Sequence, residues 1–482
     1  MSQEILWQEF ELSSSVVDLL AAFSGEKYVF LLESSLYEPS MGRYSFIGCD
    51  PFAVVTSRGK DHLNNLRKKF SQYCFAGQAD STEKSPFPAG IMGFLGYEYG
   101  YFLEKKAFGR GKGCPTDINY SRGVLPDSCF GFYDCIITVD HMKNKIYLSS
   151  TGLPELKGGK RRRKAVERLK YFAGRISSVK TSGERNTIQN KKNRPKNRSG
   201  LYKSNFTKRQ YINAVKKALE FIRLGEIYQV NLAQRFCCKD PALKRVDPVA
   251  FYDLLRNLSP SCFGGYFDIG VCKVVSSSPE RFLSVRGRDV ETRPMKGTRP
   301  RGETEGRDKQ NRAELNKSLK DKAELLMITD LERNDLGRVC ENGSVRVKTL
   351  RALEEYRTVF QTTSTIEGKL RKGKDSFDLL RACFPGGSIT GCPKIRAMEI
   401  IRELEGSPRS LYTGSMGYIS FTGNMDFNIL IRTLLMREGE ASFHVGGGIV
   451  ADSIPEEEYE ETLVKAGAMR ECLRIASRGG LR

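Results

Sequence analysis

A chain of 482 residues, 39% hydrophobic and 28% charged, is long enough for one large core or two medium ones and has the make-up of a globular protein, not of a fibrous or disordered one. No apolar run approaches the roughly 20 residues that cross a bilayer, and the acidic first ten residues lack the order of a signal peptide, so the expected setting is the cytoplasm. The net charge of +21 raises nucleic-acid binding, but residues 157–203 hold 17 Lys or Arg against Glu167 and Glu184, so +15 of it is local.

In chain order, short apolar runs bounded by Gly, Pro and Ser predict strands at Tyr28–Leu32, Ser45–Gly48, Ala53–Thr56 and Ile91–Phe94. Phe132 to Ser149 reads as a hairpin turning at Lys143-Asn144. An amphipathic helix over 163–178 enters a basic stretch, 156–204, read as a solvated interdomain linker. Its runs Lys160–Lys164 and Lys191–Arg198 have few aromatics to stack on bases, although a nucleic-acid module carries a similar signature. Beyond it, Thr207 is an N-cap for a helix with an apolar face of Tyr211, Ile212, Val215, Ala218, Leu219 and Ile222, ended by Gly225. A strand at 226–238 follows, then strands alternating with helices, clearest at 307–335, 391–404 and 454–477. The expected organisation is an N-terminal region 1–155, the linker, and a catalytic region 205–482, in an α+β fold of mixed sheet and flanking helices. Thirteen cysteines, an odd number without any Cys-x-x-Cys pair, read as reduced thiols.

Several segments can carry chemistry. In Glu291–Arg301 a lysine, Lys296, precedes Gly297; buried among cations it could act as a nucleophile, while a surface lysine in a basic loop is the plainer alternative. Glu280, in Ser278-Pro-Glu-Arg281, lies between two strand-like runs, either as a proton donor raised by burial or in a salt bridge with Arg281. Asp321 and Glu324 share one helical face; Glu458, Glu461 and Lys465 share another. Acidic pairs from two helices suit Mg²⁺, which takes a few carboxylates and completes its shell with water; a solvated acidic face has the same spacing. The turn Pro385–Lys394, which includes Thr390, leads into a helix, and Val445–Val450 contains Gly446, Gly447 and Gly448; both allow close approach of an anion. Neither nucleotide-loop pattern is present.

Ser278–Arg281, Pro294–Thr298, Asp321–Asp335, Pro385–Lys394, Gly446–Asp452 and Glu458–Thr462, in that order, resemble the chorismate-utilising enzymes, which include the anthranilate, aminodeoxychorismate, isochorismate and salicylate synthases. The likeness is dense from Thr207 to Leu473 and thinner over the first 150 residues. It implies an anthranilate-synthase-like fold of two packed mixed β-sheets with outer helices. It further implies Glu324 and Glu461 as principal Mg²⁺ ligands with Asp321 and Glu458 close behind, and Glu280 as the acid that protonates the departing carbon-4 hydroxyl. Arg432 and Tyr418 resemble the contacts to the enolpyruvyl carboxylate, with the Gly446–Gly448 amides and Lys465 nearby. Glu33, Ser34, Arg43 and Tyr44 resemble the family's tryptophan pocket, which makes tryptophan a candidate ligand.

Two positions choose among the reactions. Gln229 stands where isochorismate-forming relatives carry a lysine acting on water. Lys296 stands where anthranilate synthases have alanine, and a lysine there resembles aminodeoxychorismate synthase component I. That likeness implies a covalent lysine adduct at carbon 2, then ammonia at carbon 4, giving 4-amino-4-deoxychorismate for p-aminobenzoate and folate biosynthesis. Anthranilate synthase component I is the alternative, and a non-enzymatic nucleic-acid-binding relic a remote one. Gln361 replaces a histidine that relatives use in later steps. With only His62, His141 and His444 and no Gly-x-Cys-x-Gly elbow, the chain lacks the makings of a glutaminase, so a separate amidotransferase subunit and a separate pyruvate lyase are implied.

Overall fold

The computed structural model describes residues 4–36, 41–58, 61–75, 83–104, 108, 125–179, 201–356, 359–479 and 481. Two antiparallel sheets organise them. The first, of twelve strands, runs from Leu6–Glu11 through Lys145–Ser150, Cys135–Asp140, Tyr44–Gly48 and Phe30–Glu33. It continues through Phe263–Asp268, Lys273–Ser278, Thr433–Arg437, Glu440–Ile449 and Gln229–Lys239 to Gly391–Cys392, with Lys203–Ser204 also pairing Gln229–Lys239. The second, of ten strands, includes Met295–Pro300, Val359–Lys369, Arg281–Arg286, Ser415–Ser420 and Gly90–Leu95. Phe30 and Phe46 of the first sheet meet Met92, Phe94 and Met416 of the second in a shared apolar layer.

The α+β class and the two sheets agree with expectation; their mixed character does not. Every described pairing is antiparallel. Alternation of strands and helices suggested parallel crossovers, but pairs such as Thr433–Arg437 with Glu440–Ile449 are joined by turns too short for anything but a hairpin. The two halves of the chain also share both sheets: Phe30–Glu33 pairs with Phe263–Asp268, and Gly90–Leu95 with Ser415–Ser420. The basic helix, Gly158–Ser178, packs on Lys145–Ser150 through Ala165, Leu169, Phe172 and Ile176. Several of its cations are paired, Arg168 with Asp50 and Asp134 and Arg175 with Glu26. The rest of the basic run, 180–200, lies outside the described residues.

Local chemistry explains where the helices differ from expectation. Thr207 caps Lys208–Arg223 in a reciprocal box with Gln210, and Tyr211, Ala214, Val215 and Ala218 form its buried face. Thr207→Ala should cost about 1 kcal/mol in denaturant unfolding without changing the slope of the transition. The helix expected at 307–335 is two, Glu305–Lys317 and Leu319–Gly337, because Ser318 ends one and its hydroxyl accepts the Asp321 N–H to start the other. The one expected at 454–477 divides at Ala466 into Pro455–Lys465 and Gly467–Ala476. Residues 391–392 pair with Gln229 and Val230 instead of opening a helix, which begins after Pro393 as Lys394–Glu405.

Candidate active site

The helix Leu319–Gly337 turns acids inward: Glu324, Glu332 and Asp335 are buried together with Leu325, Ile328 and Leu336. Burying carboxyls costs solvation and is retained where partners or chemistry compensate. Asp335 has a partner, the Lys394 ammonium at 2.5 Å. Glu332 accepts from the Thr292 hydroxyl at 2.8 Å, and burial lifts its pKa to about 8.

Lys296 reaches toward this helix from Met295–Pro300, where the pairing with Val359–Lys369 is interrupted between Lys296 and Thr298. Gly297 makes the irregularity with φ of 78°, and a Cβ there would lie 2.8 Å from Asp321 Cγ, so only glycine fits. The half-buried Lys296 Nζ donates to the Ser388 carbonyl at 3.2 Å and faces Glu324 Oε2 at 3.9 Å. Glu280, between Lys273–Ser278 and Arg281–Arg286, is buried and accepts a 2.6 Å hydrogen bond from Ser388 Oγ. Burial pushes its pKa to about 7, against the pull of Ser388 and Lys296, so the expected proton donor is held as an acid near neutral pH. Arg281 is not its salt-bridge partner; it pairs with Asp426 and Glu291.

The first sheet closes the other side. Gln229 is fully buried, and neither its amide nitrogen nor its carbonyl oxygen has a hydrogen-bond partner among the described residues. An orphaned amide at this depth is costly unless a ligand completes it. A Cβ on Gly448 would sit 3.0 Å from Gln229 Nε2 and 3.4 Å from Lys296 Nζ, so glycine leaves room for both groups. A Cβ on Gly447 would meet Glu458 Oε2 at 3.2 Å and Glu461 Oε1 at 3.6 Å, and Lys465 Nζ donates to the Gly446 carbonyl at 3.0 Å. Lys296, Glu280, Gln229, Gly446–Gly448, Glu324, Glu458, Glu461 and Lys465 thus form one site. Arg432 directly precedes Thr433–Arg437, with φ of 50°, a costly conformation for a long side chain. Its guanidinium has no ion-pair or hydrogen-bond partner among the described residues, and burial lowers its pKa.

The carboxylates expected to hold metal are each engaged with a cation. Glu458 accepts from Lys320 at 3.0 Å and from Ser453 at 2.6 Å, Glu461 from Lys465 at 2.6 Å, and Asp321 from Arg299 at 3.4 Å. Burial raises Glu324 against the pull of Lys296 and Lys320; for Glu461 burial is outweighed by Lys465, Lys320 and Lys296, and its pKa falls. Hard oxygen donors suit Mg²⁺ chemically. As the side chains stand they are turned to cations, and among the described residues no group of three or more Asp, Glu, His or Cys side chains is placed to hold a metal ion.

Other expected residues have different duties. Thr390 turns its hydroxyl to the Gly386 carbonyl at 2.8 Å, closing the turn. Gln361 donates to Thr298 Oγ1 at 3.4 Å. Tyr418 is a correction: it is not part of the Lys296 site. It stacks on Phe87 at 4.3 Å and accepts from Arg286 at 3.0 Å, because its strand turns this face toward the layer between the sheets. There it lines a small cavity, of about 60 Å³, with Glu33, Tyr44, Phe46, Met416 and Asp426. Glu33 is paired with Arg256 at 2.6 Å and accepts from the Tyr252 hydroxyl at 2.6 Å; Ser34 donates to the Leu36 carbonyl and Arg43 grips Asp140, both outside that lining.

Sequence reasoning passed over Ser388, Lys320, Arg409 and Tyr412. Arg409, fully buried, donates to Glu405 at 2.6 Å, to the Ile389 carbonyl at 2.9 Å and to the Asn231 carbonyl at 2.8 Å, tying the 385–394 turn to the strand of Gln229. Tyr412 stacks on His444 at 5.2 Å, two residues from Gly446, and the adjacent Thr413 N–H bonds the Leu430 carbonyl. Ser388 and Lys320 were visible as neighbours of flagged motifs; Arg409 and Tyr412 left no local signal.

The chain matches the model of the chorismate binding enzyme family over residues 30–471. It is 34% identical over 464 residues to aminodeoxychorismate synthase component 1 of Bacillus subtilis (strain 168), covering 93% of this chain and 92% of that protein. It is 38% identical over 459 residues to anthranilate synthase component 1 of Thermus thermophilus, covering 93% of each. The crystal structure of anthranilate synthase component I from Streptococcus pneumoniae TIGR4 superposes with a TM-score of 0.71 at 28% identity, covering 90% of this chain and 93% of that one. With the match spanning both sheets and every residue of the Lys296 site, the chain belongs to the family of chorismate binding enzymes.

Proposed function

We propose that the chain is aminodeoxychorismate synthase component I, a cytoplasmic enzyme that turns chorismate and ammonia into 4-amino-4-deoxychorismate and water. The observation that carries this reading is the half-buried Lys296 amine, held 3.2 Å from the carbonyl of the same serine whose hydroxyl bonds the acid Glu280. In the reaction the free amine of Lys296 forms a bond to ring carbon 2, the ring double bond shifts, and the carbon-4 C–O bond breaks as Glu280 gives its proton to the leaving hydroxyl. Ammonia then bonds carbon 4, the shift reverses, and the carbon 2–lysine bond breaks; a proton from the incoming nitrogen returns to Glu280. The unpartnered Gln229 amide and Arg432 guanidinium are suited to the substrate's hydroxyl and carboxylate groups. Mg²⁺ at Glu324, Glu461, Asp321 and Glu458 belongs to the same reading, each carboxylate exchanging its cation for the ion; no step above depends on it.

Anthranilate synthase component I is the second reading, favoured by relatives of that name at 37% and 38% identity. Incubation with chorismate, Mg²⁺ and an ammonium salt, with chromatographic identification of the product, separates the two. Aminodeoxychorismate is expected, with glutamine inactive until a glutaminase partner is added; anthranilate as the main product would overturn the proposal.

A further inference from the structure

Resting on that reading of Lys296 and Glu280, we infer that Ser388 is a positioning residue that couples the proton donor to the nucleophile, fixing through its hydroxyl which oxygen of Glu280 carries the proton and through its carbonyl where the Lys296 amine stands.

A neutral carboxyl group has one accepting and one donating oxygen. Ser388 Oγ donates to Glu280 Oε1 at 2.6 Å, so Oε1 is the accepting oxygen and the transferable proton resides on Oε2. The opposite polar atom of the same residue, the Ser388 carbonyl, accepts from Lys296 Nζ at 3.2 Å. Donor and nucleophile are therefore referenced to one residue instead of to two mobile side chains. The residue is itself held. Arg409 Nη1 bonds the Ile389 carbonyl at 2.9 Å and the Asn231 N–H bonds the Thr390 carbonyl at 2.8 Å. A Cβ on Gly387 would lie 2.7 Å from Leu331 Cδ2, so the turn Gly387–Ile389 is pressed against the helix Leu319–Gly337.

When Glu280 loses its proton, the Ser388 bond becomes charge-assisted and strengthens, making Glu280 a stronger acid than burial alone would allow. The other charges around it are Lys296, which acts in the same direction, and Glu332, which the Thr292 hydroxyl contacts from the far side. Arg281 is committed to Asp426 and Glu291.

The test compares wild type with Ser388→Ala and Ser388→Thr. In Ser388→Ala, kcat with chorismate and ammonium should fall roughly 10- to 100-fold with KM within about twofold, and the basic limb of the pH profile should move to higher pH. Infrared titration of the ligand-free protein, with the Glu280 carbonyl band identified by its loss in Glu280→Gln, should show the midpoint rising from about 7 in the alanine variant. Ser388→Thr should restore both readouts. An unchanged midpoint and kcat in Ser388→Ala, or failure of threonine to rescue, overturns the inference. Absence of chorismate turnover in wild type faults the proposed reaction instead, and the infrared midpoint still decides whether Ser388 governs Glu280.

Discussion

Lys296→Ala is expected to abolish the covalent adduct and to lower aminodeoxychorismate formation by roughly three orders of magnitude or more, the scale of losses seen when a covalent nucleophile is removed. Incubated with chorismate and without ammonia, wild type should gain the mass of chorismate less one water in intact-protein mass spectrometry, and the variant should gain nothing. Alanine leaves the pocket open at the point where Gly448 and Gln229 approach, because Lys296 Nζ would be 3.4 Å from a Cβ on Gly448 and 3.0 Å separates that Cβ from the Gln229 amide. Ammonia can then reach carbon 2 directly, so the small residual product should shift toward the carbon-2 amine. The fold should survive, since among the described residues the Lys296 ammonium makes one hydrogen bond and one long ion pair. Equal adduct in both proteins, or none in wild type, would remove the main support for the aminodeoxychorismate reading.

That prediction comes from a residue legible in the sequence, and most of the site was legible for the same reason. Glu280, Lys296, Glu324, Glu458 and Glu461 lie in compact motifs that carry the family resemblance, whereas spacing alone gives a shared helix face or a strand end and leaves a surface lysine and a solvated acidic face open. Local signals also located elements well: the Thr207 cap and the Lys143-Asn144 turn stand where sequence put them. What sequence could not give is what depends on distant pairing. Glu405 accepts from the Ala233 N–H and Arg409 donates to the Asn231 carbonyl only because the end of one helix docks on a strand that lies 172 residues earlier at the Ala233–Glu405 contact. Tyr418 was assigned by its motif, but the register of Ser415–Ser420 against Gly90–Leu95 turns it into the inter-sheet layer. Helical spacing shows the carboxylates sharing a face but hides the cations, Lys320, Arg299 and Lys465, that meet them.

Glu280→Gln should lower kcat by about 10² to 10⁴ while making the protein more stable above neutral pH. The activity loss follows from chemistry: an amide keeps the shape and still accepts the Ser388 hydrogen bond, but has no proton to give the leaving hydroxyl. In wild type the acid form is required, so kcat/KM should decline as pH rises through about 7, and this limb should vanish in the residual activity of the variant. The stability change has the opposite sign from most substitutions. The folded pKa is raised above the ordinary value of 4.5, chiefly by burial, so the folded state holds a proton that the unfolded chain releases. Stability associated with that proton is complete below about 4.5, declines as pH rises toward about 7, and stays low above it. Glutamine carries no such charge, so the variant should match wild type near pH 4 and exceed it by on the order of 2–3 kcal/mol at pH 8. Urea unfolding at the two pH values measures the difference. A Gln variant equally stable or weaker at pH 8 would mean that Glu280 is not held as a buried acid, and the proton donor would have to be sought elsewhere in the site, with Glu332, whose pKa stands at about 8, the next group to change.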